Sequence, residues 1–351
     1  MFYYLFFYRK IYQISIEKKK GAKRNVSVII CAHNEADNLK KNLTAVLRQS
    51  YHNFEVIVVD DASTDKTAEV LQNFQKEYNQ LKVITIEQSS KKAGKKNALT
   101  IGIYAASFNT LLMTDADCCP VSEFWIEAFA EVYNENVQMV LGYGAYRKHG
   151  GLLNKIIRWE TAFIALQYST FAHCGLAYMG VGRNISYSKK LFIENNGFEA
   201  HKNIAGGDDD LFVSQIAENT NIKICFNKLA TTVSEPERSF KNWFRQKQRH
   251  ISVSNKYKPL HKILLAAEPF TRILFYATWL LSLFFQEIFF LTIPFFFIRL
   301  VTQMIIFSET LNKFSEKDLL PYGICFDIAI PLLYAWIFVL NFFNPLKNKW
   351  K

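Results

Sequence analysis

VSVIICAHNEADNL, residues 26–39, opens on an apolar, β-branched run from Val26 to Cys31, the length of a buried strand. Leu39, Leu43 and Leu47 then follow at intervals of four, which places them on one face of a helix. Between run and helix stand His33, Asn34 and Glu35. The unit returns at once. Phe54 to Val59 reads as a strand ending in Asp60-Asp61, and a helix from about Asp65 carries Val70, Leu71 and Phe74. Lys82 to Ile86, a helix near Lys96 to Ala106 and Thr110 to Met113 repeat it. Such alternation predicts an α/β domain with a mostly parallel sheet and helices on both faces.

In sheets of this kind ligands bind outside the carboxyl ends of the strands. Polar residues collect there: His33, Asn34 and Glu35 after the first strand, Asp60 and Asp61 after the second, Asp115 and Asp117 after the fourth. Any one group could merely cap the next helix. Three at one sheet edge point to a site. The glycine fingerprint of dinucleotide folds and the Walker loop are both absent, so a nucleotide bound here would be held by carboxylates and a metal. Asp115-Ala116-Asp117 can present alternate carboxylates to a hard divalent cation, Mg2+ or Mn2+, that also takes diphosphate oxygens.

The 351 residues are half hydrophobic, with 31 Phe and a net charge of +11. The apolar residues concentrate late in the chain. The run 273–298 is interrupted only by Gln286 and Glu287 as strongly polar residues, and 324–343 has Asp327 as its one charge. Each matches the ~20 residues needed to cross a bilayer, and neither leaves a polar stripe for water. The first run reads either as one span or as a hairpin turning at Gln286-Glu287 and continuing to Phe307. Met1 to Tyr8 is apolar but too short to span, and reads as an interfacial anchor or the end of a longer helix. Lys18, Lys19, Lys20, Lys23 and Arg24 beside it, with Lys347, Lys349 and Lys351 after the last apolar run, suit flanks facing anionic cytoplasmic lipid. No recognition motif accompanies them, so nucleic acid is not the expected partner. Six cysteines without CxxC spacing read as free thiols in a reducing compartment.

Taken together, VSVIICAHNEADNL, VIVVDDASTDKT (56–67), GKKNAL (94–99), TDAD (114–117), GGDDDLF (206–212) and QKQRH (246–250) resemble the motifs of inverting, family 2 glycosyltransferases of GT-A fold. The likeness is to the membrane-associated branch that includes cellulose, chitin and hyaluronan synthases. It spans about Asn25 to Lys256. It implies that His33, Asn34, Glu35, Asp60, Asp61 and Lys95 contact the nucleotide sugar, and that Asp115 and Asp117 form the metal-binding DxD. It further implies that GGDDDLF holds the general base and that Gln246, Arg249 and His250 correspond to QxxRW. Two departures stand out. His250 replaces the Trp, and Gly207 takes the Glu position, which ranks Asp208 first as base, while a shift of one residue nominates Asp209. Gln246 and Arg249, three apart, would share a helix face and close over the diphosphate.

The domains expected are an anchor at 1–24, a GT-A domain at 25–256 and a membrane region at 257–351. The function implied is transfer of a sugar, favouring a UDP-sugar donor, to a lipid-linked or cell-envelope glycan acceptor at the cytoplasmic face of the inner (plasma) membrane. Gly175 to Ser188 is expected to be a glycine-rich loop near substrate, with His173 and Trp159 as packing residues. Two other classes fit the same features: a polyprenyl-phosphate sugar synthase, which leaves Gln246 and Arg249 unexplained, and a non-catalytic membrane-anchored sugar-nucleotide binder.

Overall fold

The computed structural model describes residues 1–14, 24–87, 94–204 and 206–343. Lys18, Lys19, Lys20, Lys23, Lys347, Lys349 and Lys351, expected as lipid-facing flanks, lie outside these residues. Two compact units emerge: an α/β unit of 24–147 and 175–235, and a helical unit of 1–14, 148–174 and 236–343. The expected boundary at 256 therefore does not coincide with them. A short helix α1 (Phe2–Phe6) opens the chain and belongs to the helical unit.

The strands of the α/β unit are β1 (Val26–Ala32), β2 (Phe54–Asp61), β3 (Leu81–Ile86), β4 (Thr110–Asp115), β5 (Cys118–Pro120), β6 (Met139–Leu141), β7 (Gly144–Tyr146), β8 (Ile185–Ser188), β9 (Ile222–Ile224) and β10 (Thr232–Ser234). Its helices are α2 (Ala36–Leu47), α3 (Thr67–Glu77), α4 (Lys95–Ala105) and α5 (Trp125–Ala130), then, past α6 (Leu152–His173) of the helical unit, α7 (Lys189–Glu194) and α8 (Asp210–Ile216). Among the described residues the main sheet has the order β3-β2-β1-β4-β8-β6-β9. β1, β2, β3 and β4 run parallel, as the alternating pattern predicts. β8 is antiparallel to both β4 and β6, so the segment expected as a loop from Gly175 ends as a sheet strand. A second sheet, β5-β10-β7, lies in the same unit.

Burial explains the register. Val28, Ile29, Ile30 and Val56 to Val59 are inaccessible on both faces, the mark of a strand covered by helices on either side. Leu39, Leu43, Val46 and Leu47 of α2 pack into the same core as Val28 and Val58. Each such side chain contributes roughly 1.5–3 kcal/mol by leaving water. Slipping one residue would turn this set outward. The register pairs Ala32 with Asp60 and Cys31 with Asp115, which brings the polar ends of β1, β2 and β4 to one edge. Arg24, expected to face lipid, instead donates to the Asn134 carbonyl at 2.8 Å and lies over the Tyr133 ring.

The helical unit adds α9 (Phe240–Ser254), α10 (Pro259–Ser282), α11 (Gln286–Lys313) and α12 (Gly323–Phe343) to α1 and α6. Three of its segments, 259–282, 286–313 and 317–341, are long and apolar enough to cross a membrane. The run 273–298 is thus shared by two helices that turn between Ser282 and Gln286, and the open choice between span and hairpin falls to the hairpin. Phe284, Leu291 and Phe295 are 69–81% exposed, a surface suited to lipid and not to water. The N-terminal segment is packed inside this unit: Phe7 meets Phe171 at 4.3 Å and Tyr8 meets Phe163 at 5.7 Å. Trp159 is buried against Phe307 and Phe326, the packing role expected of it.

Candidate active site

Lys95 begins α4, straight after Gly94, whose φ of +138° suits a residue without a side chain. Its Nζ lies 2.8 Å from Asp115 Oδ1 at the end of β4 and 3.2 Å from Asp208 Oδ2. Burial works against the ammonium, but the Asp115, Asp208 and Asp209 carboxylates hold Lys95 well above its ordinary pKa. These three elements, distant in sequence, line one cleft with Thr114, Gly182 and Asp209.

Asp208 and Asp209 differ in environment. Burial raises the Asp208 carboxyl, yet Lys95 outweighs it and holds the group below the usual carboxylate range. Asp209 is pushed up to about 7 by burial and by the Asp208 and Asp210 carboxylates beside it. Both oxygens of Asp209 accept backbone amides, Oδ2 from Gly182 at 2.7 Å and Oδ1 from Asp210 at 2.8 Å. Asp209 thereby caps α8 and ties down the segment before β8. The chain enters this corner through Gly206 and Gly207 at φ +87° and +76°. A Cβ on Gly207 would also come within 2.6 Å of Leu211, a local reason for glycine where the family pattern has Glu.

Asp115, Asp117 and Cys118 place their ligand atoms within 4.8 Å of one another. Cys118 donates its thiol hydrogen to Asp117 Oδ1 at 3.3 Å. Desolvation and the neighbouring Asp115 carboxylate raise the Asp117 carboxyl although its side chain reaches solvent. A cation would reverse that shift. Two hard carboxylate ligands close together fit Mg2+ or Mn2+.

The other residues expected to contact the nucleotide sugar sit at the same edge. Asp61 is 1% exposed, its Oδ2 accepts the Gly94 amide at 2.9 Å, and its Oδ1 is buried without a partner among the described residues. Burial raises its pKa. His33 Nδ1 donates to the Asp61 carbonyl at 2.6 Å. Asn34, at φ +57°, accepts the Thr64 amide at 2.8 Å, and Asp60 accepts the Ser63 amide at 3.1 Å, so these two brace the loop after β2. Glu35 bonds Asn38, and burial, with Asp117 and Asp115 nearby, raises its carboxyl.

Gln246, Arg249 and His250 belong to the helical unit, on α9. Gln246 and Arg249 are half-buried and His250 is exposed. The helix expected for this pair is present. Sequence reasoning missed the Gly182 amide and Cys118; a signal for each existed in the glycine-rich run before Ser188 and in the residue that follows Asp117.

The description "Glycosyl transferase family 2" belongs to a family model that matches residues 27–194, which contain β1 to β4 and the Asp115-Asp117 pair. This stretch is a family 2 glycosyltransferase domain. Among curated relatives of this chain, a probable glycosyltransferase, YdaM of Bacillus subtilis, is 27% identical over 236 residues, 64% of this chain and 54% of that protein. Poly-beta-1,6-N-acetyl-D-glucosamine synthase of Staphylococcus epidermidis is 30% identical over 167 residues, 46% of this chain and 39% of the synthase. The chain spans about half or less of the length of these relatives. The solved mannosyltransferase PcManGT from Pyrobaculum calidifontis, in complex with GDP-Man and Mn2+, superposes with a TM-score of 0.56 at 18% identity, covering 93% of this chain and 95% of that one. That likeness is one of fold, and the family 2 domain is a GT-A-like α/β domain.

Proposed function

We propose that this chain is an inverting glycosyltransferase that moves a sugar from a nucleoside-diphosphate donor, favouring UDP, to a lipid-linked or cell-envelope glycan acceptor at the cytoplasmic face of the plasma membrane. The observation that carries this reading is the convergence of Asp115, Lys95 and Asp208 in one cleft, at 2.8 and 3.2 Å. The relatives named for glycan synthesis and the fold shared with a nucleotide-sugar enzyme support it.

Asp208 is the general base. It is held ionised by Lys95, and it takes the proton of the acceptor hydroxyl as that oxygen attacks the anomeric carbon. The new C–O bond forms on the face opposite the diphosphate; the old C–O bond breaks, and its electron pair leaves with the diphosphate. One displacement inverts the centre. Asp209 positions Gly182 beside the base and does not itself carry the proton. Asp115 and Asp117 would hold Mg2+ or Mn2+, which when bound neutralises charge on the leaving diphosphate. Lys95 adds a second positive charge there. Asp61, whose buried Oδ1 has no partner among the described residues, accepts from the nucleobase, while His33, Asn34, Glu35 and Asp60 shape that pocket. Gln246, Arg249 and His250, which resemble QxxRW, are the further residues read as binding the nucleotide sugar.

Nucleotide release from a panel of UDP- and GDP-sugars by the detergent-solubilised chain, with Mn2+ or Mg2+ and membrane-extract acceptor, tests the reading. Release from one donor, abolished in Asp117→Asn and Asp208→Asn, is expected. Nucleotide binding without release from any donor would instead favour a non-catalytic binder, and product formed only on polyprenyl phosphate would favour a lipid-sugar synthase.

A further inference from the structure

Glu160 sits on α6, 2% exposed, where a carboxylate is costly unless donors surround it. Lys247 Nζ lies 2.6 Å away, the Trp243 indole donates at 3.3 Å, and the Tyr334 hydroxyl donates as well. Lys247 is itself 5% exposed, so its charge is spent inside the protein. Trp243 and Lys247 are one turn apart on α9, whereas Tyr334 is on α12, one of the apolar helices long enough to span. One carboxylate therefore joins three helices of the same unit. Two further contacts hold α9 to α12: the Phe244 and Trp336 rings at 5.2 Å, and Asn341 Nδ2 donating to the Gln248 carbonyl at 3.4 Å.

The consequence lies in helix geometry. Successive residues turn by about 100°, so the direction in which Lys247 is anchored sets the direction of Gln246 and Arg249, which lie roughly 100° and 160° around the helix from it, towards the opposite side. Lys247 stands between them in sequence without being able to share their role, because Glu160 holds it.

We propose that Glu160 is a positioning residue for sugar transfer: through Lys247 and Trp243 it fixes the rotation of α9, and through Tyr334 it fastens that helix to α12, so that Gln246 and Arg249 are held in one orientation. This rests on the reading that Arg249 binds the diphosphate. A salt link that only stabilised the fold would act on binding independently of Arg249. A positioning link acts through it.

The test titrates UDP and GDP, each with Mn2+, into the full-length protein in detergent, in four forms: unaltered, Glu160→Gln, Arg249→Lys and the double variant. Glu160→Gln is expected to weaken the nucleotide that binds by about tenfold in the unaltered background and to add nothing once Arg249 is Lys. Equal weakening in both backgrounds, or none in either, overturns the inference while leaving Arg249 its role. Arg249→Lys binding as the unaltered protein does would remove the reading of Arg249 and the inference with it. No binding of either nucleotide by the unaltered chain would sink the transferase reading itself. Should Glu160→Gln fail to fold, Glu160→Gln with Lys247→Met, which leaves no unpaired charge behind, takes its place with the same expectation.

Discussion

Asp208 and Asp209 are neighbours in sequence whose surroundings push their acidities apart, one held down by Lys95 and the other raised to about 7 by burial and adjacent carboxylates. If Asp208 is the base, its depressed pKa keeps it competent at all neutral pH, and turnover should be flat from about pH 6 to 8. An ascending limb centred near 7 that vanishes in Asp209→Asn would move the role to Asp209. Stability follows its own sign. Asp209 binds its proton more tightly folded than unfolded, so the fold loses stability as pH climbs from the ordinary carboxylate range towards 7. Asp209→Asn should flatten that fall in thermal unfolding across the same window, although it also weakens the hold on Gly182. Asp208→Asn should cost roughly 10²–10⁴ in turnover with the fold intact, as loss of a general base does. The motif match ranks Asp208 first through Gly207 at the Glu position and keeps Asp209, because a string of three aspartates carries no information on which one faces a lysine from a distant helix.

At the scale of elements, α2 illustrates a part that local pattern specifies well. Its leucines at intervals of four meet the helical period, and the structure buries Leu39 and Leu43 to 1% against β1 and β2. Leu43→Ala should cost about 2–5 kcal/mol, read as an earlier midpoint in chemical unfolding of the detergent-solubilised chain. The parallel strands were legible for the same reason. β8 was not, since Ile185 to Ser188 is four residues long and follows a glycine-rich run; only pairing with β4 and β6 makes it a strand. The turn between α10 and α11 was half legible. Gln286 and Glu287 interrupt the apolar run, yet whether an interruption ends a helix depends on packing across the hairpin, where Trp279 stacks on Phe296 at 4.2 Å.

At the scale of the whole molecule, the helical unit joins an apolar exterior to a charged interior. Asp327 is inaccessible and takes Arg272 at 3.1 Å, Arg299 at 3.3 Å and the Tyr276 hydroxyl at 2.7 Å, which ties α10, α11 and α12 together. Asp327→Ala would leave the buried Arg299 guanidinium without its carboxylate and Arg272 with Glu268 alone, and should destabilise the unit by about 3–5 kcal/mol, seen as a lower melting temperature in detergent. With three helices able to cross a bilayer, the protein should stay in the membrane pellet after an alkaline carbonate wash; release into the supernatant would refute the spanning reading. Residue type and period were enough to specify the α/β class, the acidic sheet edge and the apolar C-terminal third, because strand and helix periodicity and bilayer thickness are local constraints. Which carboxylates Lys95 pairs with, which oxygen of Asp61 takes the Gly94 amide and which side of α9 meets Glu160 depend on contacts between residues tens to hundreds of positions apart. Those pairings exist only once the chain is folded.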